Sequence, residues 1–77
     1  MNREHIFGLQ EAIDEKKVLG ARIDALGALI SSHPEPGSKF AALPKAEQEL
    51  LWEQFRGMIQ LQTILGRRIA LADALAR

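Results

Sequence analysis

At 77 residues the chain is one small domain, near the size at which a single apolar core barely offsets the entropy of ordering the backbone. It has no cysteine and no cluster of metal-ligand spacing, which excludes disulfides and a structural metal as staples and leaves oligomerisation. Ten basic and ten acidic side chains cancel, so neither a general nucleic-acid binder nor a membrane-surface binder is expected, although residues 1–37 carry −2 and residues 38–77 carry +2.

The opening "MNREHIFGLQ" places charged and polar groups where a signal peptide would be apolar, and no run approaches the length of a membrane span. A cytoplasmic location is therefore expected. A helix is predicted over about residues 3–31. In it Leu9, Ile13, Lys16, Gly20, Ile23, Gly27 and Ile30 recur at alternating spacings of four and three, and Ile6, Ala12, Leu19 and Leu26 widen the stripe. The run "DEKK" at 14–17 reads as a solvated face.

Residues 32–43 are predicted as a loop, because Pro34, Pro36 and Gly37 cannot continue a helix. Ser38 can cap a short turn holding Phe40 and Leu43. A second helix is predicted over about 44–76, with Pro44 suited to its first turn. Its stripe reads Leu51, Gln54, Met58, Leu61, Leu65, Arg68 and Ala72, flanked by Phe55, Ile69 and Leu75. The periods match a left-handed helix pair, and the helices would run about 42 and 48 Å at about 1.5 Å per residue.

These elements predict an all-α fold, a long antiparallel helical hairpin over residues 1–77. Phe7, Val18, Trp52, Ile59 and Ile64 fall off the main stripes, where one hairpin cannot cover them all. A homo-oligomeric bundle of at least four helices is therefore expected, with Gly20, Gly27, Gly57 and Gly66 marking close helix approaches. Pairing the helices about residues 33–43 sets residues opposite when their numbers add to about 75, so that Leu9 faces Leu65 and Ile6 faces Ile69.

By the same rule Arg67 and Arg68 lie at the open end beside Arg3 and His5. Two readings stay open. In one, Arg68 lays its stem over the apolar stripe and pairs with Glu4, Glu11, Asp73 or an acid of a neighbouring subunit. In the other, Arg3, His5, Arg67 and Arg68 form an interface pocket for phosphates. Lys16 and Gln54 also interrupt the stripes, the first as a snorkelling stem or a ligand group, the second as a register-fixing amide or a ligand group. His5 and His33 are too far apart to share a metal. No catalytic constellation is present: there is no cysteine, no Gly-rich phosphate loop between strand and helix, and no Glu-x-x-His pair, so neither an enzyme nor a cofactor is expected.

The segment "FAALPKAEQELLWEQFRGMIQLQTILGRRI" resembles the C-terminal half of a family of very small phage and prophage proteins, including proteins of crAss-like phages. The resemblance rests on Phe40, Leu43, Glu47, Leu50, Leu51, Gln54, Met58, Leu65, Arg68 and Ile69. "EAIDEKKVLGARIDALGALI" is similar in type to that family's N-terminal half. Leu61 stands where the family usually has an aromatic ring, so a base-stacking role for that ring is not carried over.

In size and helical build the chain is also similar to phage sponge proteins that sequester cyclic-oligonucleotide signals of bacterial antiviral systems such as CBASS. That resemblance implies an oligomer binding a cyclic oligonucleotide or NAD-derived nucleotide in an interface pocket, with Arg3, His5, Lys16, Gln54, Arg67 and Arg68 as ligand candidates. Sequestration needs affinity and no chemistry. The alternative from another class is a helical protein–protein interaction module whose arginines are structural.

Overall fold

The computed structural model describes residues 6–32, 34, 35 and 37–76. Two helices, α1 (Leu9–Ser31) and α2 (Lys45–Leu75), pack side by side in an elongated body of 55 × 17 × 15 Å. The all-α hairpin expected from the two periodic stripes is the architecture observed. Among the described residues no helix is long and apolar enough to cross a membrane.

The first helix starts later than its stripe suggests. Gly8 has φ 61° and ψ 40°, a left-handed conformation that breaks the helical path, so the helix begins at Leu9 instead of about residue 3. At the other end, Ser31 Oγ donates to Gly27 O at 2.7 Å and Ser32 Oγ donates to Leu29 O at 2.6 Å, side-chain bonds back onto the last turn that add to its backbone bonds.

The connection is more than a loop. Gly37 takes φ 80°, and Ser38 Oγ accepts from Ala41 N at 3.1 Å, closing the short turn that carries Phe40. Phe40 is 1% exposed, among the most buried side chains of the molecule. The side chain of Gln48 donates back to Leu43 O at 2.9 Å, tying this turn to the start of α2. Pro44, at φ −57° and ψ 146°, stands just before α2 and provides no side-chain cap.

This extra turn shifts the helix register. A Cβ on Gly20 would lie 3.0 Å from Gln62 Nε2, one on Gly27 would lie 3.3 Å from Phe55 Cε1, and one on Gly66 would lie 3.3 Å from Lys16 Cε. The numbers in each of these pairs add to 82, against the 75 expected from a hairpin folded at the middle of its loop. In this register Ser31 stands opposite Leu51, so the first turns of α2, to which Gln48 ties the Ser38–Leu43 turn, extend beyond the end of α1. Leu9 and Leu65, expected to face each other, are therefore offset by about 12 Å along the axes. The core instead joins Ala12, Leu19 and Leu65, with Ile23 and Met58 packed against them.

The α2 stripe also divides in two. Leu51, Met58, Leu65 and Ala72, seven residues apart, are buried or half-buried towards α1. Gln54 and Leu61, which alternate with them in sequence, are exposed, and Arg68 is half-buried. Leu50, Ile64, Leu71 and Leu75 are exposed by 59%, 44%, 52% and 38%. Together with Gln54, Gly57, Leu61 and Arg68 they form a second row along α2, spaced alternately by four and three. Trp52, off both rows, sets its ring edge-on to Phe55 at 6.2 Å between centroids, and the Arg56 guanidinium lies 5.9 Å from the indole centroid.

Candidate functional site

Arg67 and Arg68 are adjacent on a rigid helix, so their stems leave in directions about 100° apart. Arg67 is exposed, and no partner for its guanidinium is found among the described residues. Arg68 is half-buried and donates through Nη2 to the backbone carbonyl of Phe7. That carbonyl belongs to the short segment ahead of α1 that Gly8 turns out of the helical path. The arginine thus ties the entry of the first helix to the second.

Two depressions meet at Arg68. The larger, about 790 Å³, is lined by the Ile6–Ala12 segment and Glu15, and it includes the carboxylates of Glu11 and Glu15. An anion approaching from that side would meet two negative groups. The other, about 480 Å³, is lined, among the described residues, by Ile64, Arg67, Arg68 and Leu71. Here both charged groups are cationic and both apolar side chains are exposed, so the surface suits a ligand that pairs phosphate with an apolar or aromatic body.

The remaining candidates are dispersed within the single chain. Lys16 lays its stem against Gly66 and lines a third groove with Lys17, Gly20, Asp24 and Gln62. Gln54 is exposed, with its amide 3.9 Å from Met58 Sδ, in a groove shared with Arg22 and Leu29. Fourteen residues of helix, about 21 Å, separate Gln54 from Arg68. Arg3, His5 and Glu4 lie outside the described residues.

Ile64 and Leu71 were not among the residues singled out as ligand candidates. Their signal was available as the spacing of four and three on either side of Arg68, the pattern of neighbours on one helix face. Glu11, expected near Arg68 from the sequence, lines the same depression, and Glu15, which was not expected there, joins it. Among the described residues, no group of three or more His, Cys, Asp or Glu is placed to hold a metal.

A family model described as Sequestin matches residues 9–71, which takes in nearly all of both helices and the turn between them. No curated protein and no solved structure gives a match.

Proposed function

The chain belongs to the Sequestin family, and from that membership together with the Arg67–Arg68 surface we propose that it is a non-enzymatic protein that captures and holds a nucleotide-type signal. The family name suggests sequestration of some ligand. The chemistry of the depression supports a nucleotide-type ligand. Two guanidinium groups can donate to phosphate oxygens, and Ile64 and Leu71 offer an apolar platform for a base or sugar. A cyclic oligonucleotide or an NAD-derived cyclic nucleotide combines these features. In a phage or prophage setting, such capture in the bacterial cytoplasm would withhold an antiviral signal from its receptor.

The observation that carries this reading is the pairing of two guanidinium groups with exposed apolar side chains in one depression that, among the described residues, has no carboxylate in its lining. A single chain leaves that depression shallow and open, so the binding unit in this reading is a homo-oligomer whose second copy closes it.

The test is a thermal-shift series with cyclic dinucleotides, cyclic trinucleotides and NAD-derived cyclic nucleotides. A binder at 100 times its Kd stabilises the fold by about 2.7 kcal/mol. Arg67→Ala should remove that shift and leave the unliganded melting temperature in place, since Arg67 is exposed. No shift with any member of the series would reject the reading.

A second reading is favoured by one specific bond. Arg68 holds the carbonyl of Phe7, so at least one of the two arginines has a structural task without any anion. On that reading the exposed apolar row of α2 is the functional surface and the partner is a protein.

A further inference from the structure

Of the four glycines inside the helices, Gly20, Gly27 and Gly66 are explained by the opposing helix, whose atoms stand 3.0–3.3 Å from where their Cβ would be. Gly57 is different. Apart from its own helical backbone, nothing described lies within 4 Å of that position. Glycine inside a helix is unfavourable compared with alanine, and no contact among the described residues repays it here.

Gly57 lies on the exposed row of α2, and this row is self-complementary in one direction. Laid antiparallel against its own copy, it aligns in full when opposed residue numbers add to 125. Leu61 then meets the partner's Ile64, Gln54 meets the partner's Leu71, and Leu50 meets the partner's Leu75. The fourth layer sets Gly57 against the partner's Arg68, the smallest position of the row against the longest side chain. A parallel pair would instead stack Gly57 on itself and bring two Arg68 side chains of like charge together.

In the single chain this row leaves Leu50, Leu61, Ile64, Leu71 and Leu75 exposed by 59%, 39%, 44%, 52% and 38%, a contiguous apolar strip of the kind an interface covers.

We propose that a second copy of the chain docks antiparallel along this row of α2, with Gly57 receiving the stem of the partner's Arg68. The two-fold axis passes between Leu61 and Ile64, and the interface is isologous and closed. Each depression at Ile64, Arg67, Arg68 and Leu71 then gains its missing wall from Gln54, Gly57 and Leu61 of the partner. Gln54 and Arg68, about 21 Å apart in one chain, come together across the interface. This inference rests on the reading of the chain as a homo-oligomer. It is tested without ligand, so a failed nucleotide titration would leave it standing.

The chain has no cysteine, so single cysteines report cleanly. Leu50→Cys and Leu75→Cys, both at exposed positions, are purified separately and treated with a short bis-maleimide, alone and mixed. The expected result is a covalent dimer in the mixture and none in either variant alone, because equivalent positions would lie about 37 Å apart. Cross-linking of each variant alone, or of neither sample, would overturn the arrangement. Gly57→Leu supplies the second measurement, since the substitution favours the helix within the chain and fills the space for the partner's Arg68. Circular dichroism should show retained helix, and sedimentation should show the dimer dissociating roughly tenfold or more readily. An unchanged dimer would overturn the proposal.

Discussion

Arg68 donates a hydrogen bond to the backbone carbonyl of Phe7, 61 positions earlier in the chain. The bond joins the left-handed turn at Gly8 to the side of α2, and it gives a residue on the exposed apolar row a task inside its own hairpin. Both of its roles, anchor and ligand group, can coexist, because a guanidinium carries five donors and Phe7 O takes one.

Replacing Arg68 with Ala should therefore destabilise the protein even without ligand. The loss of a partly exposed charged hydrogen bond is expected to cost about 1 kcal/mol, read as a lower midpoint in urea with an unchanged slope. An equal or higher midpoint would mean that the bond to Phe7 contributes nothing and that the arginine is held for an anion alone.

Phe40→Ala should be far more severe. The ring is 1% exposed, so its removal leaves a cavity costing about 3–5 kcal/mol. In a chain of this size that approaches the whole stability. Loss of the cooperative thermal transition by circular dichroism is the expected result, and a melting curve like that of the parent would show that the burial of Phe40 is dispensable.

Gly27→Leu should separate a close approach from an open one. A Cβ at this position already lies 3.3 Å from Phe55 Cε1, and the half-buried ring has little room to retreat. Overpacking is expected to cost about 1–3 kcal/mol in spite of the better helix propensity of leucine. If the substitution raised stability in chemical denaturation, the helices would not meet at Gly27 as the register of 82 requires.

The presence of two helices and the break between them were legible because apolar residues at alternating spacings of four and three are a local signal and proline and glycine are strong breaks, whereas the start of α1 at Leu9 was set by the left-handed Gly8. The Ser38 turn with Phe40 was legible for the same reason. The burial of Phe40 and the shift in register by about two helical turns depended on how far the turn and the start of α2 extend beyond α1, and composition carries no measure of that. The division of the α2 stripe had the same origin. Gln54, Leu61 and Arg68 share a spacing with Leu51, Met58, Leu65 and Ala72, but they lie about 60° to one side, and only packing against α1 selects the row that is covered. Arg67 and Arg68 were visible in sequence as cations in an apolar pattern. That Arg68 would hold Phe7 O while Arg67 remained exposed was decided by the left-handed turn at Gly8 and by the tertiary register, which bring together groups 61 residues apart.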